Sequence, residues 1–313
     1  MTALLLVQQA LKQRRKATLS DQQAIERIAR RLAPQLRKRF LAAVQASKGR
    51  VDLEALARAV QSGNISQAQL AMKLQEWPEK YGELAMDLRA GFLAGGSTAY
   101  EILDGARFNM RFDLINPYAV SYSSRKLPQL VESYKEDARR IIRDIIADAI
   151  SGKYTPQTAA REIRDHVGLT ERYSNAVTNY RLQLLAEGIT GERLEAKVGR
   201  YAAKLLNSRA RTIARTEIIQ AQVSGQRALW NEAANQGLFN RMTAKRVWRT
   251  HEDERTCPLC MAMDGQVIAF NGIYTHIAED SEDASLGNVN VFGEILNAPP
   301  LHPNCRCRED LVT

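Results

Sequence analysis

All four cysteines of this chain fall within its last 57 residues, together with a histidine at a spacing that suits a metal ion. Cys257 and Cys260 form a Cys-x-x-Cys pair, and His302, Cys305 and Cys307 follow 45 residues later as His-x-x-Cys-x-Cys. Thiolate sulfurs and imidazole nitrogens are the ligands that tetrahedral Zn²⁺ takes in structural sites. The five donors therefore predict one structural zinc ion, with one donor to spare.

The choice of ligands stays open at the level of sequence. Cys305 and Cys307 are alternatives beside His302, and both can bind if His302 stays out; His276 is a possible substitute. A disulfide, a redox-active Cys-x-x-Cys and simply buried thiols are the competing explanations. A reducing compartment disfavours the disulfide, and the lack of a βαβ pattern around Cys257 disfavours the redox motif.

Composition predicts a globular, largely helical protein. Of the 313 residues 45% are apolar, 6% aromatic and 25% charged, which is unlike a disordered chain. No apolar run approaches the roughly 18 residues of a membrane helix, so we expect no membrane partner. The opening Leu4–Val7 run is too short for a signal-peptide core and has no basic segment before it. We therefore expect synthesis and assembly in the cytoplasm.

Positive charge is concentrated at the start of the chain. Twelve lysines and arginines against two acidic residues give residues 1–50 a net charge of +10, while the part from Lys245 onward carries −5. Such a basic segment can attract double-stranded DNA or an acidic protein surface; a solvated helix face is the alternative. The candidate contact residues are Arg14, Arg15, Lys16, Arg30, Arg31, Arg37, Lys38 and Arg39.

Apolar periodicity predicts helices over most of the chain, from Gln22 to Ser151 and beyond. Pro34 predicts a kink or a break. The clearest helix is predicted at 130–150, and Thr155-Pro156 and Thr170-Glu171 are typical helix starts. Two further helices are predicted at 192–206 and 208–236. Glu217 falls in the apolar stripe of the second, so we expect an arginine from another element to pair with it.

The pattern changes after Gly237. Residues 245–250 predict a strand, and residues 266–276 predict a β-hairpin around Asn271-Gly272. The predicted fold is a mainly α-helical N-terminal region followed by a small α+β C-terminal domain that contains this hairpin and a zinc knuckle. The predicted divisions are a basic helical region (1–110), a helical middle region (111–204) and the α+β domain (205–313).

The order of residues around the cysteines resembles a known family. Arg215, Glu217, Trp248, Asp253, Asp264 and Gly265, followed by the His-x-x-Cys-x-Cys group, occur in the order found in phage minor head proteins. This head-morphogenesis family includes the F protein of phage Mu and gene product 7 of phage SPP1. The resemblance is densest over 205–313 and looser back to about residue 110.

The resemblance implies a minor structural protein of a tailed-phage or prophage head, with no small-molecule substrate. It implies a role in head morphogenesis at or near the portal and in DNA packaging or delivery. The implied partners are the portal protein and other head proteins, and the implied location is the host cytoplasm during assembly, then the head interior or portal vertex. A DNA-binding packaging accessory that uses the basic N-terminal region is the alternative.

Two enzyme hypotheses remain as remote alternatives. A zinc-dependent nuclease could use His251 or His302 with Asp253 to activate water, but His302 is expected to bind the metal. An ADP-ribosyl transferase needs a catalytic glutamate on a strand motif, whereas Glu217 lies on a predicted helix. The sequence therefore predicts a protein without catalytic residues.

Overall fold

The computed structural model describes residues 3–102, 116–251, 253–275 and 296–313, with side chains described from residue 25 onward except at 100–102. The chain divides into two compact units, each built from separate stretches of sequence. Unit 1 contains residues 1–34, 86–123 and 212–313, and unit 2 contains 35–85 and 124–211. The sequence-based divisions at 111 and 205 stay predictions.

Helices dominate the described residues. They are α1 (Ala3–Lys48), α2 (Leu53–Gln61), α3 (Ile65–Ala71), α4 (Trp77–Lys80), α5 (Leu84–Ile102), α6 (Pro117–Ile150), α7 (Pro156–Asp165), α8 (Glu171–Ala186), α9 (Gly191–Asn235) and α10 (Pro258–Met263), with a 3-10 turn at Leu74–Glu76. The predicted starts of α7 and α8 are confirmed, since Thr155 and Thr170 cap them through their side chains. Within these residues no helix has the length and hydrophobicity needed to cross a membrane.

Two predicted interruptions are absent. Helix α1 continues through Pro34, so a break there is wrong, while the alternative of a kink stays a prediction. Pro34 is exposed, whereas Leu32 and Leu36 on either side of it are buried, and their packing offsets the loss of one backbone hydrogen bond. The predicted helices at 192–206 and 208–236 form the single helix α9. Asn207 and Ser208 do not interrupt it, because asparagine and serine are far less unfavourable inside a helix than proline.

The core of unit 2 is an aromatic cluster against the apolar face of α6. The Phe40 ring lies 5.3 Å from that of Tyr134 and 5.9 Å from that of Tyr81. Arg209 adds a charged contact, donating to Asp137 at 2.6 Å and to the Gly168 carbonyl at 3.0 Å. Large apolar burial of this kind supplies most of a helical unit's stability.

Unit 1 depends on a close crossing of α5 and α9. A Cβ at Gly95 would overlap the carbonyl oxygen of Gln222, and one at Gly225 would overlap that of Phe92. The missing side chains let the two backbones touch, which requires glycine at both positions. The C-terminal part of α9 also packs on the sheet region, because Leu229 and Trp230 share one buried cluster with Ala244 and Phe270.

The sheet has three antiparallel strands in the order β2–β1–β3. These are β1 (Lys245–Arg249), β2 (Val267–Ala269) and β3 (Arg308–Val312). Strand β1 pairs Val247 with Val267 on one side and with Asp310 on the other. The predicted strand at 245–250 is therefore confirmed, and the C-terminal residues complete the sheet as a strand that the sequence pattern did not predict.

The predicted hairpin at 266–276 is wrong. Strand β2 pairs with β1, and residues 272–275 belong to no strand; His276 and the acidic segment 279–283 lie outside the described residues. Neither Asn271 nor Gly272 has the positive φ that a two-residue hairpin turn needs. The Tyr274 amide instead donates to the Leu296 carbonyl at 2.8 Å, which pairs this segment with a different part of the chain.

Candidate metal centre

The short helix α10 positions the first two cysteines. Cys257 is its N-cap, with extended backbone, and Pro258 occupies the first helical position. The Cys257 Sγ accepts a hydrogen bond from the Cys260 amide at 3.4 Å. This bond fixes the Cys257 sulfur beside the first turn of the helix, on the same side as Cys260.

A tight turn positions the remaining donors. The Cys305 amide donates to the His302 carbonyl at 3.1 Å, and Asn304 between them has a left-handed backbone with φ 61°. The Asn304 amide donates to Thr216 Oγ1 at 3.0 Å, and its side chain donates to Thr212 Oγ1 at 3.3 Å. Helix α9 therefore holds the turn in place through the threonine of the Arg-Thr-Glu motif.

The two groups meet around one small cavity. Two sets of three donors lie within 4.8 Å of one another, Cys257–Cys260–His302 and Cys260–Cys305–Cys307. We call these five residues the Cys/His cluster. The cavity they line has a volume of about 30 Å³, which leaves room for one small occupant. The cluster can therefore hold a metal ion.

Distances within the cluster are close to those of a tetrahedral site. His302 Nε2 lies 3.1 Å from Cys257 Sγ and 3.0 Å from Cys260 Sγ, and the Cys260 and Cys305 sulfurs are 3.7 Å apart. Zinc–sulfur and zinc–nitrogen bonds of about 2.3 and 2.0 Å imply edges of roughly 3.7 Å between sulfurs and 3.5 Å between sulfur and nitrogen. Small adjustments of the side chains are enough to reach these values.

The hydrogen bond made by His302 Nδ1 shows that Nε2 is the nitrogen available to a metal ion. His302 Nδ1 lies 2.8 Å from the Pro303 carbonyl oxygen, and a carbonyl only accepts, so Nδ1 carries the proton. Nε2 then presents its lone pair to the two sulfurs. Metal-ligating histidines typically make this kind of hydrogen bond with the nitrogen that does not bind the metal.

Most of the cluster is buried. Cys260, Cys305 and Cys307 are at most 3% exposed and pack with Trp248, Met263 and Tyr274. The hydrogen bond between Cys260 and Cys305 raises the pKa of Cys260, with burial adding to the rise, and lowers the pKa of Cys305. Thiolates packed this closely repel one another, so a bound cation would supply the charge that lets them ionise together.

Asp253 supports the second turn from outside the cluster. The Arg306 guanidinium donates to both Asp253 oxygens and holds the pKa of that carboxyl well below its usual range. His251 lies 3.1 Å from Glu26 and 3.5 Å from Asp253. This chain of charged groups orients Arg306, which stands between Cys305 and Cys307.

A second buried polar group lies at the sheet. Arg246 donates to the carbonyls of Phe270, Gly272 and Asn297 at 2.6–2.7 Å and to Glu309 at 2.6 Å. Arg246 and Glu309 are both 1% exposed. Burial raises the pKa of Glu309, and the charges of Arg246 and Arg227 oppose that rise. Arg246 therefore connects the segment after β2, at Phe270 and Gly272, with the segment at Asn297 that leads to His302.

The comparison with known families follows the same residues. A family profile described as "Phage Mu protein F like protein" matches residues 140–309, more than half of the chain. The chain belongs to this phage head-morphogenesis family. Searches of curated proteins and of solved structures found no match. The family match includes both cysteine groups, the Arg-Thr-Glu motif and the aspartates beside them.

Several residues of the family-like motif meet around the cluster. Trp248 packs on the cysteines, and Asp264 accepts from the Thr250 amide at 2.8 Å. Gly265, at φ 76°, donates to the Trp248 carbonyl. Arg215 is half-buried and Glu217 is 7% exposed; the expected pairing of Glu217 with an arginine stays a prediction.

The basic N-terminal candidates differ in exposure and in whether they have a partner. The side chains of Arg14, Arg15 and Lys16 lie outside the described residues, and Arg31 and Lys38 are exposed. Three others have partners within their own unit: Arg30 pairs with Glu26, Arg37 donates to Asn207 and Arg39 pairs with Glu83. Their role in partner binding stays a prediction.

Sequence reasoning missed Arg246, Glu309, Arg306 and Thr216 as supporting residues. Arg246 lies in a correctly predicted strand, but nothing in the strand pattern shows which face it occupies or that Glu309 reaches it. Arg306 lies between two predicted ligands, which is the one signal that could have singled it out.

Proposed function

We propose that this protein is a minor structural component of a phage or prophage head that associates with the portal. Its C-terminal part is held together by one zinc ion. The observation that carries the proposal is that the family-matched residues converge on one Cys/His cluster. Thr216, Asp253 and Asp264 all lie in the matched range and support the cluster or its neighbours through hydrogen bonds.

We propose that the ligands are Cys257, Cys260, His302 and Cys305. His302 Nε2 contacts the first two sulfurs, and Cys305 is the cysteine of the second group with the 3.7 Å sulfur contact to Cys260. Cys307, which is 2% exposed and immediately precedes β3, packs against Trp248. When zinc is bound it supplies the positive charge that holds three thiolates together; the chain's residues do the positioning.

The proposed role is structural and not catalytic. Asp253, the carboxylate that a nuclease would need as a base, is engaged by both arms of Arg306. Its lowered pKa also makes it a weak proton acceptor. A closed four-ligand site leaves no open position for a reacting water.

Zinc and its ligands are tested on the purified full chain. Mass spectrometry of metal content should give about one zinc per chain for the wild type and for Cys307→Ser, with loss of zinc in Cys260→Ser and Cys305→Ser. The Cys307→Ser variant is the matched control, since it removes a thiol two residues from Cys305. Zinc loss in Cys307→Ser with retention in Cys305→Ser would reverse the assignment of these two cysteines, and a wild-type chain without metal would exclude zinc.

The head role is tested in the phage or prophage that encodes the chain. Purified particles should contain it in few copies, and the portal protein should co-purify with it at moderate salt. Interrupting the gene should reduce the yield of infectious particles. Its absence from purified particles, together with normal particle yield after interruption, would contradict the proposal.

A further inference from the structure

A row of positive side chains runs along one face of α9 within unit 2. At about 100° per residue, positions 193, 197, 200, 204, 207 and 211 fall within about 80° of one another around the helix. The residues at these positions are Arg193, Lys197, Arg200, Lys204, Asn207 and Arg211. We call them the α9 ridge; it extends over about 27 Å at 1.5 Å per residue.

An arginine from α1 occupies the gap in this ridge. Asn207 is the one uncharged residue of the α9 ridge, and Arg37 donates to the Asn207 side chain at 2.7 Å. The ridge thereby carries positive charge along its whole length. The nearby acidic residue Glu195 lies on another side of the helix and pairs with Arg181 at 2.7 Å.

The cations of the ridge are not neutralised within the described parts of the chain. No ion pair joins Arg193, Lys197, Arg200, Lys204 or Arg211 to a described carboxylate, and all are exposed except the half-exposed Lys197. By contrast, three arginines of α6 are paired: Arg139 with Glu132 at 2.6 Å, and Arg140 and Arg143 with Glu136 at 3.5 Å. An unpaired row of like charges costs stability through repulsion, so an external anion is the natural complement.

The face also lacks the anchors of a protein interface. Among the described residues, no large apolar side chain between Leu185 and Leu238 is exposed. Ala196 and Ala203 border the ridge on one side, and their small side chains leave the cations accessible. Specific protein interfaces need buried aromatic or aliphatic side chains at their centre, whereas a phosphate backbone needs cations and close approach.

We propose that the α9 ridge binds the phosphate backbone of double-stranded DNA without sequence preference. Duplex DNA carries one negative charge per about 1.7 Å of axis, so roughly 16 phosphates lie along a 27 Å segment. The row can engage several of them at once. This inference deepens the proposed function because it gives a head component a contact with DNA, and it assigns that contact to unit 2 and not to the first fifty residues alone.

Fluorescence anisotropy with a random-sequence duplex of about 20 base pairs tests the proposal on the zinc-loaded full chain. Wild-type affinity should fall with salt with a logarithmic slope of about −4 or steeper. The variant R193Q/K197Q/R200Q/K204Q should have a slope shallower by about 3 to 4 and at least about tenfold weaker binding near 0.1 M salt. The double variant R200Q/K204Q should show about half of that change in slope.

The matched control is R139Q/R140Q/R143Q/K153Q, which removes the same charge from ion-paired positions in unit 2. It should bind duplex DNA within about threefold of the wild type, and far-UV circular dichroism should confirm that both variants remain helical. If both variants bound DNA equally weakly, net charge alone would explain the loss, and the proposal would be overturned. It would also be overturned if the ridge variant bound DNA as tightly as the wild type, or if the wild type did not bind DNA. Each of these outcomes leaves the particle and portal assays unaffected.

Discussion

The helical unit and the C-terminal sheet region are stabilised in different ways. Unit 2 buries Phe40, Tyr81 and the apolar face of α6 in a continuous aromatic and aliphatic core. The described residues of 245–313 in unit 1 form three short strands and one short helix, and their buried groups include three cysteines and the Arg246–Glu309 pair. A small region with few apolar side chains needs metal or ionic contacts where a larger one relies on its core.

Removing the metal should give the largest difference in stability between the two regions. A chelator should unfold residues 245–313, because structural zinc contributes about 10–16 kcal/mol to small metal-dependent folds, while the helices of unit 2 should stay protected. Hydrogen exchange followed by mass spectrometry reads each region separately. Uniform loss of protection would show that the helical unit also depends on the metal, and no loss anywhere would show that the sheet region does not.

Breaking the Arg246–Glu309 pair should have the next largest effect. Arg246→Met leaves Glu309 buried without its nearest cation and frees three carbonyls, so we expect a loss of about 3–5 kcal/mol. Urea unfolding followed by tryptophan fluorescence measures it, since Trp248 lies on the same strand. The double variant Arg246→Met/Glu309→Leu should recover part of that loss; a double variant no better than the single one would mean that the carbonyl contacts dominate.

Two glycines of the same helix should respond in opposite ways to alanine. Gly225→Ala places a Cβ against the Phe92 carbonyl, so the α5–α9 crossing must open at a cost of about 1–3 kcal/mol or more. Gly199→Ala meets open space in unit 2 and should stabilise the protein by about 0.5–1 kcal/mol. Thermal unfolding of both variants measures the contrast. A neutral Gly225→Ala would contradict the close crossing.

The smallest effect should come from an ion pair of unit 2 that joins the buried Arg181 to the exposed Glu195. The hydrogen bond from Arg181 lowers the pKa of Glu195, so the pair stabilises the fold above about pH 4.5, the ordinary value, and loses this contribution as pH falls through the folded pKa. Because the Glu195 side chain is 61% exposed, the contribution is below about 1 kcal/mol. The gap in unfolding free energy between wild type and Glu195→Gln should therefore narrow from pH 7 to pH 3.

The matched control for this titration is Glu192→Gln, three residues earlier on α9. Glu192 has no ion pair with a described residue, so its gap to the wild type should change less with pH. Any loss of zinc in acid affects both variants and the wild type alike. The comparison therefore isolates the contribution of the Glu195 carboxylate. An equal change for Glu192→Gln would remove Arg181 as the cause.

Sequence alone determined those features that depend on local chemistry. The N-caps Thr155 and Thr170, the strand at 245–250 and the family membership all follow from residues close together in the chain. The meeting of the two cysteine groups was also predictable, because five metal-binding side chains at these spacings have few other uses.

Tertiary structure decided what depends on partners far apart in the chain. Strand β3 forms because β1 offers it an edge, although its sequence is mostly charged. The Asn271-Gly272 turn does not close a hairpin, because Tyr274 pairs with Leu296 and Arg246 binds the carbonyls beside it. The α9 ridge likewise needs the structure, since only the uninterrupted helix places its cations on one face. Long-range hydrogen bonds and packing outweigh local propensities of about 1 kcal/mol, and the sequence pattern does not contain them.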